Sequence, residues 1–260
     1  MPVAIPISLE LERTMAAAMT TGARVTGLLV AGPFLGSAAV PPRIKAGLAV
    51  LLVVFLAPLV REPVLLPTPT DVPLLAGEFV VGFLLGFMLQ IIFEAGQIAG
   101  QVCGLQMGYS LASIINPDSQ ADSTVLSTFC QLMLLFLFVQ LGVPRWLIRG
   151  LARSYEYLPA GQFALREPVI RALLQFAAGM FVAGLQIAAP VLVACLFADV
   201  ALGFIGKASP QLPVLFVGIS IKNLLGLTLM CGAVTFWPSF FEARFAQALD
   251  ASERILKLAR

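Results

Sequence analysis

Six stretches of this chain, approximately Met15 to Gly36, Ile44 to Val60, Leu74 to Phe93, Val125 to Val143, Val169 to Phe204 and Leu212 to Pro238, are apolar over roughly the length of a membrane-crossing helix, which takes ~20 residues. Such runs leave few folds open, because in hydrocarbon only helices and closed barrels satisfy every backbone N–H and C=O. With 59% hydrophobic and 12% charged residues and a mean hydropathy of +0.96, the chain has too little polar surface to clothe a soluble domain. The expected class is all-α, a polytopic membrane protein of about six hydrophobic helices. The fifth stretch is overlong, and Pro190 is expected to kink it or divide it in two. The first is expected to be retained rather than cleaved, since Glu10 and Glu12 outweigh Arg13 where a secretory signal needs a basic region.

Cations outside the spans set the expected orientation. No Lys or Arg occurs between Arg61 and Arg145, so the connection containing Asp118 and Asp122 should face away from the cytoplasm. Arg145, Arg149, Arg153 and Arg166, flanked by Trp146, Tyr155 and Tyr157, mark the next connection as cytoplasmic. Arg244, Arg254, Lys257 and Arg260 do the same for the C-terminus, and the N-terminus then lies inside as well. In that tail Phe241, Phe245, Leu249 and Leu256 share one helical face opposite Glu242, Asp250, Glu253 and Lys257, a pattern suited to a membrane surface or a partner.

The same inventory removes most chemistry. The chain has no histidine, which excludes histidine-based triads and most zinc sites. Cys103, Cys130, Cys195 and Cys231 stand far apart in apolar runs without a CxxC pair and are read as small buried hydrophobes. No phosphate-binding motif is present. A net charge of +2, with its basic residues dispersed, argues against nucleic acid. Neither an enzyme, a cofactor nor a metal site is expected.

Gly96, Gly100, Gly104 and Gly108 recur every fourth residue. On a 3.6-residue helix they drift only ~40° per step and form one stripe where another backbone can approach closely. Gly82 and Gly86 begin a similar pattern earlier, and Gln97, Gln101 and Gln106 interleave with the ladder. Taken alone, the ladder fits ordinary helix packing. Behind it, however, Asn116 to Thr124 cannot stay helical in lipid, and irregular backbone at membrane depth must be buried in protein or line an aqueous cavity. A re-entrant or pore-plugging loop satisfies that demand.

Arg24, Glu78, Glu94, Asp199, Lys207 and Lys222 lie within or beside the spans, where each would cost ~2.5 to 3.5 kcal/mol facing lipid at a helix centre. If the last two spans form an antiparallel hairpin near Ser209 and Pro210, Asp199 and Lys222 meet at similar depth as a buried pair. Arg24 with Glu78 is a second pairing of the same kind. Either could fix helix register or serve transport or proton coupling.

Two segments carry a family resemblance. Gly100, Gln106, Met107, Gly108, Tyr109, Ser110, Leu111 and Ala112, on to Asn116 and Pro117 and then Val125 to Ser127, resemble the signature region of the FliR family of bacterial export-apparatus proteins. Lys207 to Leu212, including Pro210 and Gln211, and on to Phe216, Gly218 and Lys222, look like that family's late Pro-Gln segment. The basic connection from Gly142 to Pro159 fits between them. Asn116 stands where an Asp is common, Val143 and Pro144 where a His is often found, and Ser220 where a Pro is frequent.

The resemblance implies a single membrane domain over 1–260, with N-terminal helices (1–95), ladder and plug loop (96–124), C-terminal helices (125–238) and tail (239–260). It implies kinked helical hairpins in a helical export gate of the bacterial inner membrane, at the flagellar basal body or in a virulence injectisome. FliP-like and FliQ-like subunits, a FlhB-like protein at the cytoplasmic entrance, a FlhA-like component and unfolded export substrates are the implied partners. Met107, Tyr109, Leu111, Ile114, Ile115, Asn116 and Pro117 would then form the plug, closing a pore by dewetting, with Gly96, Gly100, Gly104 and Gly108 as packing or hinge positions. Its rivals are a proton-coupled secondary transporter using Asp199, Lys222 and Glu94, and an assembly scaffold without gating.

Overall fold

The computed structural model describes residues 7–33, 36, 40–59, 72–109, 125–209, 211 and 213–259. These form eight α-helices: α1 (Ile7–Ala31), α2 (Pro42–Leu56), α3 (Val72–Met107), α4 (Val125–Gln140), α5 (Val143–Tyr157), α6 (Glu167–Ala208), α7 (Val214–Val234) and α8 (Trp237–Leu258). A 3-10 turn, Ala57–Leu59, follows α2. Prolines and glycines set several of the boundaries. Pro42 sits in the first turn of α2, where its missing N–H costs nothing. Gly142, at φ +70°, separates α4 from α5 and precedes Pro144 in the first turn of α5.

Among the described residues, fewer helices than the six apolar stretches are long and apolar enough to cross a membrane. Three of them, α3, α6 and the Phe216–Val234 part of α7, are long and apolar enough, or four if α4 and α5 count as one broken span. The 15 residues of α2 reach only about 22 Å, short of a hydrocarbon layer of about 30 Å, and α1 carries Glu10, Glu12, Arg13 and Arg24. Pro190 does not divide the fifth stretch. It lies inside α6, which runs unbroken for 42 residues.

The chain packs as two units, Met1–Ile91 with Gly142–Phe176 and Phe245–Arg260, and Ile92–Leu141 with Ala177–Arg244. In the first, α1 and α3 touch backbone to backbone. A Cβ on Gly27 would collide with the Phe79 carbonyl oxygen, one on Gly82 with that of Arg24, and one on Gly86 would stand 2.8 Å from Leu28 O. Val25, Leu28, Val81 and Leu85 fill this core beside Leu147 and Leu151 of α5. Phe245, Ile255 and Leu256 of α8 are buried too, and the Ala164 N–H donates to Ala259 O at 2.9 Å. The apolar face of the tail is thus spent on its own chain and not on a membrane surface or a partner, because this unit offers it a matching apolar wall.

In the second unit α4 and the later part of α6 pack on the last turns of α3. Leu134 of α4 fills the space over Gly96, Ser127 Cα lies 2.5 Å from where a Cβ of Gly100 would be, and Ala95 O lies 2.6 Å from the corresponding point on Gly184 of α6. Phe93 meets Phe138 edge to face at 5.7 Å. Much of the outward surface of this unit is apolar. Phe136, Phe197, Phe204 and Leu224 are each more than 60% exposed.

Candidate functional site at the end of helix α3

Helix α3 ends in the second unit with its last turn closed from two directions. The Tyr109 N–H donates to Gly104 O at 2.9 Å and the Gly108 N–H to Leu105 O at 3.2 Å, with Gly108 at φ +89°. This is the paired hydrogen-bond pattern of a glycine C-cap. It divides the ladder by role. Gly96 and Gly100 admit α4, as close packing demands, whereas Gly108 is a stop signal whose left-handed backbone an L side chain would strain. Gly108, expected as a packing or hinge position, stands where α3 terminates.

Just before the cap, Met107 is fully buried, and its Sδ would stand 2.7 Å from a Cβ on Gly226 of α7. Gln106 donates from Nε2 to Asp199 Oδ2 at 3.2 Å, while Lys222 Nζ meets Asp199 Oδ1 at 2.8 Å. One carboxylate on α6 thereby ties the last turn of α3 to α7. Tyr109, with which the expected plug loop begins, is half-buried. Leu111, Ile114, Ile115, Asn116 and Pro117 lie outside the described residues, as does Pro210, and Gln211 is exposed.

The two expected charge pairs differ in burial. Asp199 keeps 45% of its side chain exposed and Lys222 17%, whereas Arg24 and Glu78, in the first unit, are both fully buried. The close seam at Gly27, Gly82 and Gly86 excludes water from the latter pair. Arg24 donates from Nε to Glu78 Oε2 at 2.7 Å, from one terminal nitrogen to Ser154 Oγ at 2.9 Å and from the other to Leu158 O at 3.2 Å. Its guanidinium lies 4.0 Å from the Tyr155 ring centre. Glu78 accepts a further bond from the Gly161 N–H at 2.9 Å. Both members of this pair are thus hydrogen-bonded and shielded from solvent.

Both charge pairs expected from the sequence form, but Gln106 is an unforeseen second partner of Asp199, and Ser154, Tyr155 and Leu158 are unforeseen neighbours of Arg24. Gln106 carries a readable signal, since it is a polar residue in the last turn before a glycine stop. The other three are placed only by the tertiary fold. Among the described residues no group of three or more His, Cys, Asp or Glu side chains could hold a metal. The described side chains at this helix end join α3, α6 and α7.

Comparison with known proteins identifies the family. The family model of the bacterial export proteins, family 1, matches residues 15–248. The flagellar biosynthetic protein FliR of Escherichia coli (strain K12) is 31% identical over 235 residues, covering 87% of each chain. That of Caulobacter vibrioides is 28% identical over 232 residues, 88% of this chain and 92% of the relative, and that of Bacillus subtilis 29% over 219 residues, 82% and 85%. With a match that runs from α1 into α8 and relatives that align over most of both chains, this protein belongs to the bacterial export proteins, family 1, the family of the flagellar biosynthetic proteins FliR.

Proposed function

We propose that the chain is one subunit of the flagellar type III protein export gate, forming with FliP-like and FliQ-like subunits a gated conduit for unfolded flagellar proteins. The observation that carries this reading is the anchored end of α3. A helix stopped at Gly108 and tied through Gln106 and Asp199 to Lys222 gives the following loop, 109–124, a fixed base from which to plug a pore. Tyr109, Leu111, Ile114, Ile115, Asn116 and Pro117 are assigned to that plug, and Met107, held on Gly226, to its anchor.

The exposed apolar faces of α4, α6 and α7 suit neighbouring hydrophobic subunits as well as lipid, since both reward the same side chains. The chain acts as a single membrane domain with both termini cytoplasmic, a FlhB-like protein at the cytoplasmic entrance and the proton motive force coupled through other components, including a FlhA-like one. No residue here is assigned a catalytic role.

The test is removal of Tyr109 to Thr124 in the co-expressed complex. A plug deletion assembles and leaks ions across the membrane. A deletion that assembles and stays tight sinks the gating role, and a chain that transports a solute alone as a monomer or homodimer favours the transporter instead.

A further inference from the structure

We propose that the edge of α3 bearing Glu94, Gln97 and Gln101 is a water-facing strip along which an extended, unfolded polypeptide passes, an inference that rests on the conduit function above. At ~100° per residue these three and Leu105 fall within about 80° of arc. Roughly opposite lie Ala95, Gly96, Ala99, Gly100, Cys103 and Met107, all buried. That side is committed to α4, α6 and α7 through Gly100, Gly184 and Gly226. On the outer edge Glu94 and Leu105 are exposed and Gln97 and Gln101 half-buried.

A carboxylate and two amides in the C-terminal part of a 36-residue apolar helix cannot face lipid without cost, so they face protein or water. Much of the outward surface of this unit is of the opposite kind, with Leu132, Phe136, Phe197, Phe204 and Leu224 all exposed. The strip is a polar edge beside those apolar faces. A glutamine amide both donates and accepts, matching the N–H and C=O of any extended backbone whatever its side chains. Gln97 and Gln101 are separated by about 6 Å along the helix axis, close to the two-residue repeat of about 6.7 Å in an extended chain. The strip also leads directly to Gly108 and Tyr109, where the loop departs.

The experiment uses the assembled export complex in cells, jammed by an export substrate fused to a domain that resists unfolding. A photoreactive p-benzoyl-phenylalanine replaces Gln97, Gln101, Tyr109 or, as a control on the apolar face of α4, Leu132. Crosslinks from positions 97, 101 and 109 to the jammed substrate, with Leu132 reaching only lipid or another membrane subunit, are expected. Crosslinks from 97 and 101 to a membrane subunit alone, while 109 reaches substrate, overturn the strip and make it a polar subunit interface. Failure at 109 as well takes the conduit function down with it. A second measurement uses the smaller variants Gln97→Cys and Gln101→Cys with the four native cysteines replaced by alanine. A water-soluble maleimide should label them roughly tenfold faster than Leu132→Cys, because the reactive thiolate needs an aqueous setting; equal rates overturn the proposal.

Discussion

Replacing Glu78 with alanine should destabilise the first unit by ~3 to 5 kcal/mol, the cost of leaving one partner of a buried pair uncompensated. The structure shows why this pair belongs at the upper end. Glu78 and Arg24 have no exposed side-chain surface, so water cannot replace the lost carboxylate. The substitution also strips the Gly161 N–H of its acceptor, worth a further ~1 to 3 kcal/mol if that group is left buried and unpaired. Ser154 Oγ and Leu158 O still accept from Arg24, but neither carries a negative charge to balance it. The double variant Arg24→Met/Glu78→Leu removes both charges and should recover most of the loss, leaving the Leu158 carbonyl and Gly161 N–H as the residual cost of ~1 to 3 kcal/mol each at most. The measurement is thermal unfolding of the detergent-purified complex for Glu78→Ala and, as a double-mutant cycle, for wild type, Arg24→Met, Glu78→Leu and the double variant. A Glu78→Ala variant within about 1 kcal/mol of wild type, or a double variant as unstable as the sum of the singles, refutes the claim that an unscreened pair holds α1 against α3.

Three further outcomes follow from the geometry. Gly82→Ala would drive a methyl group into the Arg24 carbonyl and should cost ~1 to 3 kcal/mol through displacement of α1, whereas Gly47→Ala, with open space around it, should stabilise α2 by ~0.5 to 1 kcal/mol; melting temperatures distinguish them. Gly108→Ala forces φ +89° on a residue with a Cβ and should cost ~1 to 2 kcal/mol, read as lowered stability and reduced motility, with Gly108→Asn milder because Asn tolerates the left-handed region. Asp199→Asn should change stability by only ~0 to 1 kcal/mol, since the pair is partly solvated; if the clasp holds the loop base, the same variant raises ion leak in the intact complex, checked by conductance.

Much of the local design is legible in the amino-acid sequence. Continuous apolar runs announce α3, α6 and α7, and the spacing of Gly96 and Gly100 announces a close neighbour, because both properties depend on residues near one another along the chain. Hydropathy overcounts the spans, since it scores α2 by its side chains and not by its 15-residue reach. The amphipathic face of α8 is visible as Phe245 and Leu256, but a face does not name what covers it. Gly108 breaks the ladder for a local reason, as the φ of a residue is invisible in a spacing rule.

The amino-acid sequence by itself determined the helical membrane class, the stripe of small residues on α3 and the pool of charges that had to find partners, because each follows from the chemistry of side chains at fixed intervals along one helix. Only the tertiary structure decided which pair was dry. Arg24 and Glu78 are separated by 54 positions, and their burial depends on the backbone contact at Gly27, Gly82 and Gly86. Asp199 and Lys222, equally well spaced to meet, stay partly open to solvent. The polar edge of Glu94, Gln97 and Gln101 gained its meaning in the same way, once α4, α6 and α7 were seen to occupy the other side of the helix.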